Sequence, residues 1–206
     1  MKRLKDDNKG LSLVELIVTV LITGILMTAV GAFISFSRVT YQNVATSSKL
    51  QEEALTVDKV LSEAFMESKA WGFIPNKNIT ATKGPLSGTV VGCSVLWIIA
   101  RSNTDNTTDD KCYFFILEKP TGILRYCVDE VGAVNTTANT IVDAAGITDA
   151  VGDKYKLVAN NMKSITLISD YPTGSGGTKS VFLKCEFEFL GENFTSNISA
   201  ESRNIN

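Results

Sequence analysis

The sequence predicts an α+β fold, with one long N-terminal helix packed on an antiparallel β-sheet. Three observations predict it. Residues 16–37 hold no charged side chain and no Pro occurs before Pro75, so nothing interrupts a helix that starts near residue 12. From Leu50 onward apolar residues recur at helical steps. Beyond residue 90 the chain turns to short β-branched and aromatic runs separated by turn residues. One long helix followed by a run of strands is the pattern of a helix laid on an antiparallel sheet.

The helix begins with an apolar run. From Leu11 to Ser37 the only ionisable side chain is Glu15. A bilayer-spanning helix needs roughly 20 residues, which this run supplies. Gly24 and Gly31 each weaken a helix by roughly 1 kcal/mol relative to Ala. Their spacing of seven also puts them on nearly the same face, where small residues let helices pack closely. Ahead of the run stands MKRLKDDNKG, with Lys2, Arg3, Lys5 and Lys9 against Asp6 and Asp7. Beyond it only Arg38 appears before Lys49. The positive-inside bias therefore places the N-terminus in the cytoplasm and the chain after residue 37 outside.

Three readings fit that segment. It is an uncleaved signal-anchor, a secretory signal cut after Gly31 at Ala29-Val30-Gly31, or a leader cut at Gly10 that leaves the helix on the mature chain. Glu15 bears on the choice. An ionised carboxylate deep in a membrane helix costs several kcal/mol, so such a residue generally has a partner or a task.

Past Arg38 the helix turns amphipathic. Leu50, Ala54, Val57, Leu61, Ala64 and Phe65 form one apolar stripe, and Glu52, Glu53, Lys59, Glu63 and Glu67 occupy the other positions. A helix from residue 12 to about 68 is roughly 85 Å long, and its first half is expected to project from the globular part.

Strands are expected at SVLWIIA (94–100), CYFFILE (112–118) and GILRYCV (122–128), the last two joined by the turn Lys119-Pro120-Thr121-Gly122. The polar stretch 131–153 reads equally as loop or short helix. KSITLIS (163–169) and SVFLKCEFEF (180–189) alternate apolar and polar residues as half-buried strands do, with YPTGSGGTK between them as a flexible turn. NFTSNISAESRNIN closes the chain as a last strand or tail.

Composition excludes several functions. The 206 residues are 44% apolar and 20% charged, enough for one domain with an extension and a packed core. The net charge of −2 offers no basic patch for nucleic acid. The chain has no His, which removes Ser-His chemistry and imidazole metal ligands. No nucleophile elbow, phosphate loop or framed acid pair occurs, so neither an enzyme nor a cofactor is expected. Cys93, Cys112, Cys127 and Cys185 contain no C-x-x-C, and zinc or redox chemistry has little support.

On the topology above all four cysteines lie outside the membrane, where disulfides form. Cys112 with Cys127, on opposite arms of one hairpin, is the easiest pair, which leaves Cys93 with Cys185. Four cysteines allow three pairings, and four buried thiols fit equally well. SNTDNTTDD (102–110) lacks the Gly and terminal Glu of a calcium loop and reads as solvated. The N-x-S/T triplets at Asn78, Asn106, Asn135, Asn193 and Asn197 follow from an Asn- and Thr-rich composition.

The basic leader, Gly10, and then LSLVELIVTVLITGIL resemble the class III signal of type IV prepilins and type II secretion pseudopilins. The resemblance lies in Gly10 before the cut, Leu11 as the new first residue where Phe or Met is more usual, Ser12-Leu13-Val14, and then Glu15. It implies cleavage by a membrane prepilin peptidase between Gly10 and Leu11 and N-methylation of the new Leu11 amine. It also implies that Glu15 engages an N-terminal amine during assembly, in register with a neighbouring subunit or, alternatively, within its own chain. KLQEEALTVDKVLSEAF, LVANNMKSITLIS and the ending Ser-Arg203-Asn204 further resemble minor pilins and minor pseudopilins of the J or W class, low-copy subunits at or near a filament tip.

The resemblance organises the chain as a leader (1–10), a transmembrane and filament-core helix (11–37), its amphipathic half (38–70) and an extracytoplasmic β-rich domain (71–206). The implied partners are prepilin peptidase, other pilin or pseudopilin subunits, the inner-membrane assembly platform and, before assembly, membrane lipid. The expected location is a single-pass cell membrane, then a surface or periplasmic filament. The competing function is a signal-anchored adhesion or receptor domain that never enters a filament.

Overall fold

The structure, a computed structural model, describes residues 12–81, 88–100, 111–130, 134–135, 140–141, 155–170 and 180–202. The chain divides into two compact units, Met1–Ala45 and Thr46–Asn206. Helix α1, Leu13–Met66, runs through both. Among the described residues of the second unit ten strands follow in chain order: β1 (Ser68–Ala81), β2 (Gly88–Ala100), β3 (Lys111–Glu118), β4 (Ile123–Glu130), β5 (Val134–Asn135), β6 (Thr140–Ile141), β7 (Lys156–Ala159), β8 (Met162–Asp170), β9 (Ser180–Phe189) and β10 (Glu192–Glu201).

The architecture is α+β, as expected, with antiparallel pairing throughout. Where the sequence suggests one sheet, however, the described strands form three: β1-β2-β3-β4-β7, β10-β9-β8 and the small pair β5-β6. The expected helical stripe of Leu50, Ala54, Val57, Leu61, Ala64 and Phe65 is buried. It packs in one core with Leu96, Ile98, Phe115, Leu117 and Leu124 of the five-stranded sheet. Val181, Leu183, Cys185, Phe187, Ile198 and Ala200 of the three-stranded sheet join the same core.

The five-stranded sheet has a second buried face. Cys93, Val95, Trp97 and Ile99 of β2, with Cys112, Phe114 and Ile116 of β3, form a separate cluster. Two buried faces explain why SVLWIIA and CYFFILE read as continuous apolar runs, whereas β9 alternates because only one of its faces is covered.

The sequence reading misses β1. The helix ends at Met66, and Ser68 Oγ donates to the Phe65 carbonyl at 2.7 Å where the chain turns into the strand. β1 contains Pro75, which disfavours a central strand. Here β1 is an edge strand, and its register shifts between Ile74 and Lys77, with Asn76 at a φ of 55°. The bulge leaves Pro75 and Asn76 out of the register, so the missing proline amide falls where the ladder is already interrupted. The last described strand, β10, pairs with β9 over all ten of its residues. Leu190 and Gly191, both at positive φ, make the two-residue turn between them.

One bend ties the two larger sheets together. After β7 the chain leaves the five-stranded sheet through Asn160-Asn161 and enters β8 of the other. The Met162 amide donates to the Gly122 carbonyl and the Glu188 amide to the Asn161 carbonyl, both at 2.9 Å. Gly122 has a φ of 70°, and a Cβ there would meet the Asn160 and Met162 carbonyls at 3.4 Å, so the β3–β4 turn approaches this closely only as glycine. The helix grips the same bend. Glu53 Oε2 accepts from the amides of Asn160 (3.2 Å) and Asn161 (3.0 Å), and Oε1 accepts from Asn161 Nδ2 at 2.6 Å.

Candidate membrane and assembly helix

The first unit's part of α1 carries Glu15, the residue singled out for assembly. Gly10 and Leu11 lie outside the described residues. Ser12 stands just ahead of the helix, and its carbonyl accepts the amides of Glu15 (2.9 Å) and Leu16 (3.1 Å). Glu15 thus falls in the first turn, where the partial positive charge of the helix N-terminus favours an anion.

Beyond Glu15 the helix is apolar on every side. Leu13 is 74% exposed, and large apolar side chains remain exposed as far as Val44. A helix that is apolar all round belongs in a core or in lipid, and none of this one's most apolar window is buried by its own chain. It is long and apolar enough to cross a membrane. Several of its hydroxyl groups suit that setting because they return to their own backbone. Thr19 Oγ1 donates to the Glu15 carbonyl at 2.6 Å, Thr23 Oγ1 to that of Thr19 at 2.7 Å, and Ser35 Oγ to that of Gly31 at 3.0 Å. At Gly24 and Gly31 a Cβ would meet nothing within 4 Å, so both are open surface positions on the helix.

Residues 5–31 match the prokaryotic N-terminal methylation motif. The motif supports a type IV pilin-like prepilin, a substrate of prepilin peptidase. It covers residues 5–10 of the leader, Glu15 and both open glycines, and the apolar helix that carries it agrees with a membrane-anchored pilin. No curated protein and no solved structure matches the chain.

The four cysteines belong to the second unit, and all are buried. The pairs expected from the sequence are not brought together. In the β3–β4 ladder Cys112 stands opposite Asp129 and Cys127 opposite Phe114, so the two are offset by two residues. Cys93 belongs to the outer cluster of the five-stranded sheet and Cys185 to the helix-side core, because strand alternation aims them at different faces. Burial, with the Glu118 carboxylate nearby, pushes the Cys93 thiol up to about 11 from an ordinary 9.0. Burial, with Asp58 nearby, pushes Cys185 up to about 12.

A raised thiol value has a definite sign. The stabilisation it gives is complete below the unfolded value and is lost as pH climbs toward the folded one. Unfolding midpoints in denaturant are therefore expected to hold to about pH 9 and to fall between pH 9 and 12. The Cys185→Ala variant should show a shallower fall. A wild-type profile that stays flat up to pH 11 would contradict this.

Among the described residues, no group of three His, Cys, Asp or Glu is placed to hold a metal ion. The 102–110 segment, Asn106 and Arg203-Asn204 lie outside the described residues. Asn78, Asn193 and Asn197 are exposed, Asn135 lies in β5, and Asn78 Oδ1 accepts the Gly92 amide at 3.1 Å. Sequence reasoning took Glu53 for one of several solvated acids on the polar side of the helix. No local pattern marks it, since its partners are 107 and 108 residues away.

Proposed function

We propose that the protein is a non-enzymatic structural subunit, a minor pilin or minor pseudopilin, that enters or caps a type IV pilus-like filament. One observation carries the reading: the methylation motif at 5–31 overlaps a helical segment, residues 16–37, that is free of charge and whose apolar side chains are all exposed. Such a surface suits lipid before assembly and neighbouring helices afterwards. Prepilin peptidase cuts between Gly10 and Leu11 and the Leu11 amine is methylated. Glu15, one helical turn on, pairs with an N-terminal amine of a neighbouring subunit and sets the axial register, since two buried charges are each costly alone and partly offset one another when paired. The domain built from residues 46–206 lies outside the cytoplasmic membrane and decorates or caps the filament.

Intact mass and N-terminal peptide mapping of the protein from its native membrane test this. The expected chain starts at methylated Leu11. A chain starting at Met1 leaves a plain anchor with an outer adhesion domain, and one starting at Ala32 leaves a secreted domain. Either removes the filament reading.

A further inference from the structure

The apolar run ends in a groove of mixed character. Phe33, Ser37 and Tyr41 form one row along α1, and Ile34, Arg38 and Gln42 form the row beside it. Rows at steps of four are ridges with a groove between them. Over two turns this groove passes from Phe33 and Ile34, which are bare hydrocarbon, to the Arg38 guanidinium, the Tyr41 phenol and the Gln42 amide. All of these side chains are exposed. Arg38 is the only charged residue between Glu15 and Lys49.

We propose that this groove binds the phosphodiester of one phospholipid headgroup, in the leaflet opposite the basic leader. The inference rests on the reading of α1 as a membrane helix. The charge-free stretch 16–37 rises about 33 Å at 1.5 Å per residue, against roughly 30 Å of hydrocarbon in a bilayer. Arg38 therefore arrives at the level of the headgroups. A guanidinium offers planar, paired donors that match a phosphate, and it stays charged at any working pH. Tyr41 sits one turn farther out, where an amphipathic ring belongs at a membrane interface. Phe33 and Ile34, one turn deeper, face the acyl chains of the same lipid. The bound phosphate fixes how far the helix sinks, and so where the second unit begins to leave the membrane surface.

The test uses the full chain in nanodiscs of equal parts phosphatidylglycerol and digalactosyldiacylglycerol, a lipid without phosphate. Lipids retained on the released protein are counted by native mass spectrometry. The wild type is expected to retain phosphatidylglycerol at least fivefold over the galactolipid, Arg38→Lys to keep part of that preference, and Arg38→Gln to fall within twofold of parity. Insertion with no preference in the wild type, or an undiminished preference in Arg38→Gln, overturns this inference alone. Failure to insert into either lipid overturns the membrane reading with it.

Discussion

The Glu15→Ala variant is expected to insert into the membrane and to be cut at Gly10, yet to be missing from filaments. The two halves of that result have separate causes. Removing the carboxylate from the end of an otherwise uncharged run does not hinder insertion, because an ionised side chain is costly in lipid. Removing one member of a buried ion pair costs about 3–5 kcal/mol, because the amine of the neighbouring subunit is left uncompensated. At about 1.4 kcal/mol per tenfold, incorporation should drop by more than 100-fold. The measurement is quantitative mass spectrometry of a sheared filament fraction against a membrane fraction. Glu15→Asp keeps the charge and should recover part of the incorporation, while Glu15→Gln should not. Wild-type levels of Glu15→Ala in filaments would sink the assembly role and favour a plain anchor.

The Glu53→Ala variant should lower the melting temperature of the second unit by about 5–10 °C. Its carboxylate takes three hydrogen bonds from the Asn160-Asn161 bend. Bonds to a charged group are worth about 1.5–3 kcal/mol each when buried. Glu53 is only half-buried and the three bonds are lost together, so about 2–3 kcal/mol is expected in total. A unit of this size shifts by roughly 2–4 °C per kcal/mol. Glu53→Gln separates charge from shape: its amide oxygen still accepts, but its NH2 faces donors, so it should fall between the other two. Thermal unfolding of the full chain in detergent checks the order. If Glu53→Ala melts with the wild type, the bend does not depend on the helix.

What could be read from the sequence was whatever depends on local periodicity. The Leu50-to-Phe65 stripe is buried as a 3.6-residue pattern requires, and β9 spans the residues its alternation suggests. Non-local features escaped. β1 was hidden by Pro75 and Asn76, which usually break a strand and here sit in an edge bulge. β7 has four residues, too few to show a period. The second buried face of the five-stranded sheet is implied by the solid apolar runs of β2 and β3, but only the fold assigns Cys93 and Cys185 to different cores. The leader, by contrast, was legible as a motif, since it is defined by residue types at fixed spacing and not by contacts between distant parts of the chain.

At the other end of the domain, Ser202 donates its hydroxyl to the carbonyl of Ser68, 134 residues earlier. Ile198 and Ala200, just before it, share the core of Leu50 and Leu61. This contact sets an order in time. The helix is made before the strand that completes the cover of its apolar stripe. At roughly 5–20 residues per second the interval is about 7–30 s. During it the strands made in between, with Leu96, Ile98, Phe115 and Leu117, can already meet the stripe, but Ile198 and Ala200 cannot. The cover of the amphipathic half of the helix is therefore complete only once β10 has been made.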